Sequence, residues 1–144
     1  MSWKRLDLDT PFHIDWAWWQ AHDRNIRYHL YDQLCPECRR RIPSPATVTE
    51  VDWIDPETAE VTRADPLTMC LRTRCMHEHD FLHEKLPLAT AIFRVFLMTD
   101  NRPATPRELH RYLPWRPPEA ILKLLSSREV HFGIRPVTNG EKAS

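Results

Sequence analysis

Four cysteines fall in two close pairs, Cys35-Pro36-Glu37-Cys38 and Cys70-Leu71-Arg72-Thr73-Arg74-Cys75, with 31 residues between them. Each pair lets a tight turn aim two sulfurs at one point. A hairpin-sized insert lets the two turns meet, which is what a tetrahedral metal site requires. Zinc is the default ion for such a thiolate set. The site does not exist in an unfolded chain, so binding energy there is folding energy, on the order of 10 kcal/mol or more in small zinc modules. The middle of this chain is thin in apolar side chains and would draw on that contribution.

The insert itself changes from helical to alternating periodicity. Val48, Glu50, Val51, Asp52, Trp53 and Ile54 lead to Asp55-Pro56-Glu57-Thr58, and Ala59 to Arg63 follow, which predicts a β-hairpin between the cysteine pairs. Pro43-Ser44-Pro45 stops any helix running on from Cys38. Over about residues 35 to 75 the pattern resembles a zinc ribbon or a related treble-clef-like knuckle. The resemblance implies Cys35, Cys38, Cys70 and Cys75 as ligands. The second pair departs from it, with four residues between its cysteines where two are commoner, and this leaves the fourth ligand open between cysteine and histidine. His77 and His79 are the alternative ligands.

Other cysteine chemistries fit less well. An iron–sulfur cluster uses compact cysteine runs that this chain lacks, and structural disulfides belong with a secretory signal that is not seen here. A redox Cys-x-x-Cys pair wants a helix N-terminus after a strand, whereas Cys35 reads as the end of a helix. The stretch Met76 to Glu84 packs three histidines and three carboxylates into nine residues. It misses the His-Glu-x-x-His template, and a general base and third ligand are not identifiable, so it reads as a solvated polar linker and no enzymatic activity is expected.

Upstream, Asp9-Thr10-Pro11 reads as a turn and Asp15 as the cap of a helix that ends at Cys35-Pro36. Trp16, Trp19, Ile26 and Leu30 would form its buried stripe. The tryptophans at 16, 18 and 19 are read as core, with a role at an interface left open.

Downstream, Leu88, Ile92, Val95 and Phe96 mark a core helix over Pro87 to Met98, which Asp100-Asn101-Arg102-Pro103 breaks. Thr105-Pro106-Arg107-Glu108 is a capping box with proline at the first helical position. Leu109, Tyr112 and Leu113 form the inner face of that short helix. After Trp115-Arg116, a further helix starts at Pro117-Pro118-Glu119 with Ile121, Leu124 and Leu125 inward, and Val130, Phe132, Ile134 and Val137 suggest a final strand.

That order resembles a winged helix-turn-helix domain over residues 87 to 137, with a reduced wing because little chain remains. The resemblance implies that the second short helix enters the DNA major groove. Its leading residues, Pro117, Pro118 and Glu119, suit base reading poorly. Phosphate contacts fall instead to Arg102, Arg107, Arg111, Arg116, Lys123, Arg128 and Arg135. Trp115 and the prolines would serve a protein contact.

Charge sharpens this division. The 20 basic and 20 acidic side chains cancel overall, yet residues 1–34 carry −1, 35–84 carry −4 and 85–144 carry +5. The start is not of signal-peptide type, and the most apolar run, Leu88 to Met98, is broken by Arg94, so a soluble cytoplasmic protein without membrane contact is expected. The sequence thus predicts an α+β protein. Its parts would be a Trp-rich helix (1–34), a zinc-stabilised β-hairpin module (35–84), a winged-helix-like three-helix domain (85–137) and a polar tail (138–144). The expected function is a noncatalytic regulator that binds nucleic acid through phosphate. The alternative is a protein-interaction adaptor; oligomeric state is left open.

Overall fold

The computed structural model describes residues 5–22, 25–42, 44–45, 51–54 and 57–137, with backbone alone for 51–53 and 61–64. In chain order these form β1 (Phe12–Ile14), α1 (Trp16–Ala21), α2 (Ile26–Tyr31), α3 (Pro36–Arg41), β2 (Val51–Ile54), β3 (Val61–Ala64), α4 (Pro66–Thr73), a 3-10 turn (Cys75–His77), α5 (Leu88–Met98), α6 (Pro106–Tyr112), α7 (Pro118–Leu125) and β4 (Ile134–Pro136). The fold is α+β, with two separate two-stranded antiparallel sheets, β1–β4 and β2–β3.

The chain divides into two compact units, residues 1–24 with 82–144, and residues 25–81. These limits differ from boundaries at 34/35 and 84/85. The N-terminal segment belongs with the C-terminal one because β1 pairs with β4, Phe12 opposite Pro136 and Ile14 opposite Ile134.

In the first unit α5 is the central element. Ala91, Ile92, Phe93, Val95 and Phe96 are fully enclosed, as are Leu109 and Leu113 at α6, Ile121 of α7 and Phe12 of β1. Aromatic rings extend this core, with Trp19 packed edge-on to Phe93 at 6.3 Å and Phe93 to Phe132 at 5.9 Å between centroids. Burying large rings supplies much of the drive in a core this small. The capping box forms in full: the Thr105 hydroxyl accepts from Glu108 N–H, and the Glu108 carboxylate accepts from Thr105 N–H.

The connector between α5 and α6 is pinned to β1 at two points. Phe12 and Ala104 exchange both backbone hydrogen bonds, at 2.8 and 3.0 Å. Asn101, at φ 60°, accepts from Ile14 N–H at 2.8 Å and donates to Ile14 C=O at 2.9 Å through its side-chain amide. Asparagine tolerates this left-handed conformation better than most residues do. β1 therefore lies between β4 on one edge and Ala104 on the other.

Several sequence expectations are corrected here. The single helix from Asp15 to Cys35 is two helices, α1 and α2, each with its own cap: Asp15 accepts from Ala17 N–H and Asn25 from Arg27 N–H. Trp18 and Trp19 are buried while Trp16 is 45% exposed, so the inward face differs from the predicted stripe. Tyr112, expected inside, is 42% exposed. The final strand is confined to Ile134–Pro136 because Phe132 and Gly133 both take positive φ and turn the chain.

The second unit holds α2, α3, the predicted hairpin and α4. The hairpin pairs Val51 with Ala64 and Ile54 with Val61. Val48 to Glu50, Asp55-Pro56, Pro43 and residues 138–144 lie outside the described residues. Leu34, Ile42, Leu67, Leu71 and Phe81 are buried here together with Cys38, Cys70 and Cys75. Arg27 forks onto the Asp65 carboxylate, which also caps α4 by accepting from Leu67 N–H. Burial pushes the Asp65 carboxyl upward, but the Arg27 hydrogen bond and charge, the Thr68 hydroxyl and Leu67 N–H outweigh it and hold the group below the ordinary range.

Candidate metal centre and basic face

Local structure explains how each cysteine is placed. Cys35 caps the start of α3 with Pro36 at its first position, so Cys38 falls one turn in. Cys35 is therefore at a helix N-terminus and does not end a helix, contrary to the sequence expectation. Cys70 sits in the last turn of α4, and Arg74 N–H closes that turn onto Cys70 C=O at 3.0 Å before Cys75 opens the 3-10 turn. The unusual four-residue spacer is thus a helix end followed by a tight turn.

The ligand atoms of Cys35, Cys38 and Cys75 lie within 4.8 Å of one another, so these three can hold a metal ion. A tetrahedral thiolate site with bonds of about 2.3 Å places its sulfurs roughly 3.8 Å apart, which this spacing admits. Cys70 is not in that group: contrary to the sequence expectation, its sulfur is paired with that of Cys38 as in a disulfide, with 6.1 Å between their Cα atoms. This separation is that of a disulfide. Cys38, Cys70 and Cys75 are buried and Cys35 is partly covered.

Burial pushes the Cys75 thiol up to about 11, against the pull of Cys35 N–H, which donates to its sulfur at 3.1 Å. A cation binding there must displace the thiol proton. Glu37, inside the first cysteine pair, receives Arg74, inside the second, at 2.6 Å. This brace joins the two ligand loops. Sequence reasoning missed it, although both residues stand between the cysteines.

His77 and His79 do not join the cysteine group. Both are exposed, and His79 instead lies beside Glu78 and Asp80 in a solvent-facing cluster. His83 accepts from Lys85 N–H through Nδ1.

The predicted phosphate contacts divide in two. Arg107 pairs with Asp9 at 3.0 Å and Arg135 with Asp15 at 3.1 Å. Arg102, Arg111, Arg116, Lys123 and Arg128 are exposed and make no ion pair among the described residues. Trp115 is half-buried. By the observed division, the first unit carries 13 basic against 10 acidic side chains, and the second 7 against 10.

Comparison with known proteins gives no relative: no family model matches the chain, and neither a curated protein nor a solved structure matches it significantly. Among the described residues, no helix is long and apolar enough to cross a membrane.

Proposed function

We propose that this is a noncatalytic binding protein in which a zinc-stabilised module accompanies a basic, winged-helix-like unit that contacts nucleic-acid phosphate. Support for zinc comes from the donor set: three clustered cysteine sulfurs, with Cys70 against Cys38 as the fourth. Thiolates of this kind suit zinc, and four protein ligands leave no open position for chemistry, so the ion would act as a structural staple.

Support for the winged-helix-like reading is the order α5, bridge residue Ala104, α6, α7, β4. Among the described residues, one strand, β4, follows α7. β1 lies antiparallel beside β4, and on this reading would stand in for a second wing strand. A hairpin wing loop is then missing between these two strands, and phosphate contact falls to the helices. α7 starts at Pro118 behind the N-cap Pro117, and the missing N–H groups of both make it a poor base reader.

The observation that carries the reading is that Arg102, Arg111, Arg116, Lys123 and Arg128 are exposed and without an ion pair among the described residues, on a unit of net charge +3. Arg107 and Arg135 add little, since each already neutralises a carboxylate. Binding to generic duplex and single-stranded nucleic acid should fall steeply with salt, because each phosphate contact releases counterions. Replacing Arg116, Lys123 and Arg128 together by alanine should flatten the log–log salt slope by about 3. Affinity indifferent to salt, or unchanged in that variant, overturns the phosphate reading. The adaptor reading would then stand, with Trp115 and its neighbouring prolines as the contact.

A further inference from the structure

A cavity of about 260 Å³ opens in the first unit, lined by Val95 and Thr99 of the α5 end, Arg102, Pro103 and Ala104 of the connector, and Glu108, Arg111 and Tyr112 of α6. Its walls combine two arginines, a tyrosine and one carboxylate. Two guanidinium groups, Arg102 and Arg111, have no acidic partner among the described residues. A tyrosine ring stands 42% exposed beside them. The lone carboxylate, Glu108, already accepts from Thr105 N–H in the capping box, so two positive charges face one negative.

The backbone of this cavity is also fixed in advance. Asn101 holds Ile14 through both amide atoms, Ala104 exchanges two hydrogen bonds with Phe12, and Thr105 and Glu108 cap each other. Arg102 and Tyr112 are thus carried on a braced connector and a capped helix, which lowers the ordering cost of binding. A pair of guanidinium forks suits a phosphate, and an exposed aromatic ring suits a planar base stacked on it.

We propose that this cavity binds a nucleoside phosphate, with the phosphate held by Arg102 and Arg111 and the base stacked on Tyr112. The ligand is either a free mononucleotide or a nucleotide within a single strand. The second case rests on the nucleic-acid reading above; the first does not.

The full-length protein is titrated calorimetrically with adenosine 5′-monophosphate, inorganic phosphate, a single-stranded oligonucleotide and a duplex of the same sequence. Arg102→Ala and Arg111→Ala should each weaken mononucleotide binding by about tenfold or more, the usual scale for a charged hydrogen bond. Tyr112→Ala should weaken the nucleotide but leave inorganic phosphate unchanged, which a merely unfolded variant would not do. If the oligonucleotide competes with the mononucleotide, the strand is the source; without competition, it is the free nucleotide. Absence of mononucleotide binding at millimolar concentration, or equal affinity in wild type and both arginine variants, overturns the proposal. Duplex binding that persists in that event leaves the broader phosphate face standing. Mononucleotide binding without any salt-dependent nucleic-acid binding would overturn that face and keep the cavity.

Discussion

Gly133 shows how one residue ties the ends of the chain together. It takes φ +76°, and a Cβ built there would lie 2.8 Å from Trp19 Nε1 and 3.2 Å from Asp15 C=O. The same indole N–H donates to Phe132 C=O at 3.1 Å, and Gly133 C=O accepts from Asp15 N–H at 2.8 Å. Gly133→Ala therefore meets both the left-handed backbone penalty, about 1–2 kcal/mol, and a clash with a buried ring. The variant should lose about 2–4 kcal/mol of stability, read by denaturant unfolding followed at the tryptophans. A loss below about 0.5 kcal/mol, the scale of ordinary surface changes, would show that the Trp19 contact is not tight.

At the scale of elements, local chemistry was legible and long-range pairing was not. The hairpin, the α5 core face and the Thr105–Glu108 cap stand where alternation, 3.6-residue periodicity and capping chemistry put them. β1 escaped notice because three residues carry little pattern, and its partner lies about 120 positions away. The split between α1 and α2 was hidden by a stripe of apolar residues that runs across both, although Asn25 is a strong cap. In the candidate metal centre, the meeting of Cys35, Cys38 and Cys75 was readable from spacing, whereas the Cys38–Cys70 pairing and the Glu37–Arg74 brace depend on how two turns meet.

The Asp65 cap of α4 makes a prediction at this same scale. Its carboxyl is held low in the folded protein, so the stabilisation it provides is present above the unfolded value near 3.9 and lost as pH falls through the folded value. Asp65→Ala should destabilise the second unit by about 1–3 kcal/mol at neutral pH, from the lost cap and the lost ion pair with Arg27. The wild-type advantage should shrink as pH falls below about 4. An advantage that stays constant down to pH 2 would show that the carboxylate charge is not what holds Arg27.

For the whole molecule, the two units rest on different sources of stability. Among the described residues, the first encloses a row of large apolar side chains about α5, while the second buries Leu34, Ile42, Leu67, Leu71 and Phe81 with three of its four cysteines. Small cores of that kind need a staple, and a metal site of four thiolates contributes on the order of 10 kcal/mol. Purified reduced protein should hold about one zinc per chain. Under reducing conditions, where Cys38 and Cys70 cannot be joined covalently, a strong chelator should then strip protection from the backbone amides of α3, α4 and the β2–β3 hairpin. Amides of α5, α6 and α7 should keep theirs, because β1, β4 and the aromatic core hold that unit without sulfur. Cys75→Ser should reproduce the chelated state. Hydrogen exchange resolved by segment reads both. If chelation leaves the second unit protected, its core suffices without an ion. If reductant alone loosens it, with no metal present before or after, the Cys38–Cys70 contact is a disulfide and the staple is covalent.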